Sequence, residues 1–116
     1  GHFTAEGGYA GARALLEAVP DLTAIFAGND LSALGVLNAL AERGRRVPDD
    51  VSVVGFDDLR LSAFTSPPLT TIRQPATEIA QRATEILLEL TRGKPVEKLL
   101  HLLEPKLIVR ASTAKP

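Results

Sequence analysis

With 116 residues, 45% of them apolar and 23% charged, and with ordinary glycine and proline content, the chain has the make-up of one packed α/β domain and not of a disordered or fibrous segment. A formal net charge of −1 and a pI near 6.1, with both signs spread along the chain, give no basic face to track phosphates and argue against nucleic-acid binding by this segment alone. The lack of cysteine excludes disulfides and thiolate metal sites without fixing the compartment, and no apolar stretch approaches the roughly 18 residues that a membrane span requires.

From Thr4, apolar residues recur at helical spacing (Ala12, Leu15, Leu16, Val19) and predict an amphipathic helix that Pro20 and Asp21 end. The run Leu22 to Ala27 is short, apolar and partly β-branched, which predicts a strand running into the turn Gly28-Asn29-Asp30, where Asp30 can cap the next helix. That helix, from Leu31 to about Arg43, is apolar over more than half its circumference, more than one core face accounts for. Gly44 is expected to close it in the left-handed conformation, and Pro48-Asp49-Asp50 to turn the chain into the next strand.

The stretch Val51-Ser-Val-Val-Gly-Phe-Asp-Asp58 is apolar without alternation and stops at two adjacent carboxylates. It reads as a parallel strand covered on both faces, and ligands in open α/β sheets bind just beyond the carboxyl ends of such strands. Strand, helix and strand in this order predict a βαβ unit whose strand ends share one edge. Beyond an irregular segment from Leu59 to Ser66 and Pro67-Pro68, a strand is expected over Leu69–Arg73. A helix opening at Pro75 follows, with Ile79, Ala83, Ile86, Leu87 and Leu90 on one face and a stop at Gly93-Lys94-Pro95. Two last strands are expected at Leu99–Leu103 and Lys106–Arg110, and a loose tail from Ala111 to Pro116.

Asn29 and Asp57 each end an inferred parallel strand. Asn offers donor and acceptor and Asp accepts twice, a combination suited to neighbouring sugar hydroxyls or the N–H groups of a purine. Helix capping and turn formation would call for the same residue types, and local pattern does not separate the two readings. Phe3 could lie flat on a ligand ring or serve ordinary packing. The cluster Arg43-Gly-Arg-Arg46 reads as a solvated helix end, favoured there by the helix dipole. His2 and His101 lack metal-ligand spacing, so no metal site and no cofactor are expected. No glycine-rich phosphate loop, nucleophile elbow or cysteine is present, and binding is expected in place of catalysis.

Taken together, four strings resemble the C-terminal effector-binding core of the LacI/GalR family of bacterial transcription regulators: Gly1-His-Phe3 to Gly8-Tyr9, Ala24-Ile-Phe-Ala-Gly-Asn-Asp30 with Ala33-Leu-Gly35, Arg46-Val-Pro-Asp-Asp-Val-Ser-Val-Val-Gly-Phe-Asp-Asp58, and Pro67-Pro-Leu-Thr-Thr-Ile-Arg-Gln-Pro75. Leu107-Ile-Val-Arg110 with Ser112-Thr113 resembles the family's ending, and the absence of methionine fits a piece of a longer protein. The resemblance implies part of a periplasmic-binding-protein-like type I fold, with a Rossmann-like parallel sheet and flanking helices. Residues 1–70 would be the later part of the C-terminal subdomain, 71–100 a crossover belonging to the N-terminal subdomain, and 101–116 the returning strand and tail. It further implies that Asn29 and Asp57 hydrogen-bond an effector in the cleft between subdomains and that Phe3 stacks on it. Family members dimerise through the counterpart of the Leu31 helix and the segment after the Asp pair, so Leu34, Leu37, Asn38, Leu61 and Phe64 are expected at a two-fold interface.

The expected whole is a cytoplasmic transcription regulator, a repressor, that senses a small polar molecule, a sugar foremost, works as a homodimer, and meets operator DNA only through a helix-turn-helix absent from this chain. No membrane contact and no enzyme activity are expected. The alternatives are an extracytoplasmic sugar-binding protein of a transport system, against which Pro67-Pro-Leu-Thr-Thr and the apolar Leu31 helix speak, and a hydrolase using Asp57 or Asp58, which lacks a recognisable nucleophile and base.

Overall fold

A computed structural model describes residues 2–95 and 100–115. The chain divides into two compact units, residues 1–73 with 107–116, and residues 74–106.

The first unit opens with α1 (Ala5–Ala18), whose N-cap Thr4 accepts a hydrogen bond from the Gly7 amide at 3.1 Å. Then follow β1 (Ala24–Phe26), α2 (Asp30–Glu42), β2 (Ser52–Phe56), a 3-10 turn over Arg60–Ala63, β3 (Thr70–Arg73) and, later in the chain, β4 (Lys106–Ile108). The sheet order is β1-β2-β3-β4. β1 runs parallel to β2 with Ile25 opposite Val53, and β2 parallel to β3 with Gly55 opposite Thr71. The expected βαβ unit and shared strand edge are thus present.

The core lies between the helices and the sheet, where Leu16, Ile25, Val36, Leu40, Val51, Val53 and Leu69 are buried. Two glycines set how closely α1 and α2 approach. A Cβ on Gly8 would collide with the Ser32 carbonyl, and one on Gly35 with the carbonyl of Ala5 and, at 2.5 Å, the amide nitrogen of Tyr9. Gly44 closes α2 with φ +67, as the sequence indicates. Ahead of β2, Arg46 grips Asp50 with Nε (3.1 Å), Nη2 (2.9 Å) and its own backbone amide (2.7 Å). These hydrogen bonds hold the Asp50 carboxyl at about 2. Arg46 is therefore a solvent-exposed clasp on the turn as well as a helix-end charge.

Three expectations are corrected. The tail is not loose: Ser112 is fully buried, its Oγ donating to the Val53 carbonyl at 2.6 Å and accepting from the Thr70 amide at 2.7 Å, while the Ala111 amide donates to the Pro68 carbonyl at 3.0 Å. These bonds satisfy backbone groups that a free tail would leave buried and unpartnered. Asp30 does not cap α2, because Asn29 takes that position and Asp30 becomes the first helical residue. Of the strand expected at Leu99–Leu103, Leu99 lies outside the described residues, and residues 100–103 form no strand; Leu100 and Leu102 are exposed, and apolar β-like sequence without a partner strand has no ladder to join.

The second unit is built on α3 (Ala76–Thr91), which follows Pro75 and gives way to Gly93 at φ +72. None of its residues is buried, and Ile79, Leu87 and Leu90 of its apolar face are exposed.

Candidate functional site

Because β1 and β2 are adjacent and parallel, the residues leaving their carboxyl ends emerge side by side. Ala27 keeps the first segment in register through its amide, which donates to the Val54 carbonyl at 2.8 Å. Asn29 then turns the chain into α2: its Oδ1 accepts from the Ser32 amide at 2.8 Å, and its Nδ2 donates to the Phe3 carbonyl at 3.0 Å. The capping reading and the ligand reading are therefore compatible, since an amide so engaged retains one N–H and one acceptor lone pair.

The Asn29 to Phe3 bond brings the chain just before α1 to the end of β1. Phe3 has φ +52 and is 65% exposed, its ring edge 3.0 Å from where a Cβ on Gly28 would lie. Among the described residues, the non-glycine positions with positive φ are Phe3, Asp57 (φ +117) and Asp58 (φ +55). Such conformations cost about 1–3 kcal/mol each and gather at sites whose surroundings over-determine them.

At Asp57 and Asp58 those surroundings are explicit. The Asp57 amide donates to the Ile72 carbonyl at 2.9 Å, the Asp58 amide reaches Thr71 Oγ1 at 3.4 Å, and the Leu59 amide donates to Asp30 Oδ2 at 2.8 Å. The Asp58 carboxylate is buried between two guanidinium groups, Arg73 Nε at 2.5 Å and Arg110 Nη2 at 2.6 Å. Burial pushes this carboxyl up, but the hydrogen bonds and charges of Arg110 and Arg73 outweigh it and hold it below the ordinary carboxylate range.

Asp30, the residue that sequence reasoning left as a possible cap, is fully buried and accepts from Thr71 Oγ1 at 2.5 Å, Ser62 Oγ at 2.5 Å and the Leu59 amide. A Cβ on Gly55 would collide with its Oδ1, so the glycine in β2 is the opening through which the carboxylate reaches β3. Nothing local marks this role, although a carboxylate at a helix start facing a strand with a central glycine is the available hint.

The structure thus brings Phe3 and Asn29 into direct contact and sets Asp57 at the end of the neighbouring strand. Of the residues expected at a dimer interface, Phe64 is 85% exposed, Asn38 and Leu61 are exposed, Leu34 is half-buried, and Leu37 packs against the core. Leu34 and Asn38 share a depression of about 360 Å³ with Tyr9 and Glu42, whose side chains are joined by a 2.6 Å hydrogen bond. Among the described residues, no group of three or more His, Cys, Asp or Glu could hold a metal ion, and no helix is long and apolar enough to cross a membrane.

The parallel β1-β2-β3 arrangement with its flanking helices is that of a periplasmic binding protein-like domain; the model of that family matches residues 2–113, and the chain belongs to it. More particularly, the solved structures it resembles include LacI family transcriptional regulators. It is 47% identical over 112 residues to the HTH-type transcriptional regulator MalR of Streptomyces coelicolor, covering 97% of this chain and 32% of that protein. The structure of the transcriptional regulator CelR in complex with cellobiose superposes with a TM-score of 0.92 at 39% identity, over 97% of this chain and 34% of the other. The lac repressor dimer bound to operator and the anti-inducer ONPF gives a TM-score of 0.88 at 38% identity, over 97% and 39%. The chain spans about a third of the length of the curated relatives it matches.

Proposed function

We propose that the parent protein is a cytoplasmic, dimeric LacI-type repressor and that this segment supplies one wall of its sugar site and part of its dimer surface. The observation that carries the reading is that Asn29, bonded to Phe3, and Asp57 leave the carboxyl ends of adjacent parallel strands, with Phe3, Asp57 and Asp58 the positive-φ non-glycine residues among those described. The Phe3 ring would stack on the apolar face of a pyranose, and Asn29 and Asp57 would hold its hydroxyls. The Asp58 carboxylate is held between Arg73 and Arg110, and Asp57 is assigned to the ligand by its place at the carboxyl end of β2 beside that of β1. Cellobiose in the CelR complex and lactose in a LacI family regulator of Arthrobacter, 38% identical to this chain, favour a sugar over other polar effectors.

The crossover to the N-terminal subdomain would begin at residue 74, where the second unit starts, and not at residue 71 as expected, because residues 71–73 complete β3 of the first unit. Effector binding would favour one relative orientation of the subdomains, by as much as its affinity differs between the two. Leu61, Phe64, Leu34, Leu37 and Asn38 would contribute to pairing with a second copy, and DNA-binding heads carried elsewhere in the parent protein would read the operator.

Thermal unfolding of the full-length protein with cellobiose, lactose, maltose and glucose tests the sugar assignment. One sugar at a hundred times its dissociation constant should add about 2.7 kcal/mol of stability, seen as a raised Tm. The rise should vanish in Asp57→Ala; no rise with any of the four sugars rejects a sugar effector from this panel.

A further inference from the structure

Asp30 follows Asn29 directly, yet its carboxylate faces away from the strand-end site and into the protein. There it holds three donors from three places: Thr71 in β3, Ser62 in the 3-10 turn, and the amide of Leu59, two residues beyond Asp57. Thr71 Oγ1 in turn meets the Asp58 amide, so one short chain of bonds runs from the helix start after Asn29, across β2 at Gly55, to the backbone after Asp57.

We propose that Asp30 is a positioning residue for the effector site: resting on the assignment of Asn29 and Asp57 to the ligand, it fixes the spacing between them and seats the 3-10 turn that carries Leu61. Asn29 is anchored by its own cap, but Asp57 sits in a strained backbone and stays there only while residues 57–59 are tied down. Of the three amides in that stretch, one is tied to β3 backbone, one to the Thr71 hydroxyl and one to Asp30 itself. Two of the three ties therefore depend on the Asp30 and Thr71 pair.

The direct variant, Asp30→Ala, strips partners from two hydroxyls and an amide and can unfold the domain, so the decisive comparison is Thr71→Val against Thr71→Ser in the full-length protein. Valine keeps the shape and loses the hydroxyl, whereas serine keeps the hydroxyl and loses the methyl. Calorimetric titration with cellobiose and lactose should show at least tenfold weaker binding in Thr71→Val and near-parental binding in Thr71→Ser. Amide hydrogen exchange, read without ligand, should quicken at Asp58 and Leu59 in the valine variant alone, with Val53 and Val54 unchanged. Equal behaviour of both variants, whether both intact or both impaired, overturns the proposal, because packing and not the hydroxyl would then be what matters. If the parental protein binds neither sugar, the sugar assignment fails on its own, and the exchange rates decide: acceleration confined to the valine variant sustains the brace, and unchanged rates remove it.

Discussion

Ser112 Oγ donates to the Val53 carbonyl at 2.6 Å, 59 positions apart in sequence, and so pins the end of the chain to the middle of β2. The same oxygen accepts from the Thr70 amide at 2.7 Å, while the Val53 amide donates to the Ser112 carbonyl at 2.8 Å. A single hydroxyl thus joins β2, β3 and the tail inside the core.

Removing it should be costly. Ser112→Ala leaves a buried carbonyl and a buried amide without their partner, which destabilises by about 1–3 kcal/mol. Urea unfolding of the full-length protein should show a lowered midpoint with an unchanged slope; an unchanged midpoint would mean that water replaces the hydroxyl.

Close helix approach gives a second test. Gly35→Ala drives a methyl into the Ala5 carbonyl, backbone that no rotamer change can move aside. Overpacking of this kind costs about 1–3 kcal/mol. Gly11→Ala, where a Cβ meets nothing within 4 Å, should cost nothing by comparison and act as the control. Equal Tm values for the two variants would contradict the packing described.

The Asp58 cluster predicts acid sensitivity. Its folded carboxyl lies below the ordinary range, so its contribution to stability is fully present above the unfolded value of about 3.9 and is lost as pH falls through the folded one. Stability measured from pH 6 down to pH 3 should fall more steeply in the parental protein than in Asp58→Asn. Parallel curves would show that Arg73 and Arg110 do not hold the ionised form.

Phe3 should separate binding from stability. Its ring is largely exposed, so Phe3→Ala should change unfolding free energy by no more than about 0.5 kcal/mol. Loss of stacking should weaken sugar affinity by about threefold to tenfold, the equivalent of about 0.5–1.5 kcal/mol. Gly28→Ala, whose Cβ would press on the ring edge at 3.0 Å, should weaken binding in the same direction with the ring still present. Calorimetric titration of both variants beside thermal unfolding checks the separation.

What the sequence discloses here is what local pattern encodes. The unalternating β2 run, the helical spacing of α1 and α3, the left-handed Gly44 and the helix stop at Gly93 each depend on residues within one or two turns of one another, and each is found where the pattern puts it. Asp30 and Ser112 were not legible because their partners lie 29 to 59 positions away, and a lone Asp after Asn or a lone Ser near a chain end has the same local look when solvated. Over residues 100–103, the described part of the expected strand, no strand forms for the converse reason, since strand-like composition does not supply a neighbouring strand. At the candidate site, position after a strand singled out Asn29 and Asp57, but the tie from Asn29 to Phe3 and the tethering of residues 58 and 59 by Thr71 and Asp30 are properties of the folded chain alone.

The most direct test of the effector site is a crystal structure of the full-length regulator with the sugar that raises its Tm. The account predicts sugar hydroxyls at about 2.5–2.9 Å from the Asp57 carboxylate and hydrogen-bonded to the Asn29 amide, with the Phe3 ring against the pyranose face. A sugar bound away from the β1 and β2 ends, with neither Asp57 nor Asn29 touching it, would contradict the account.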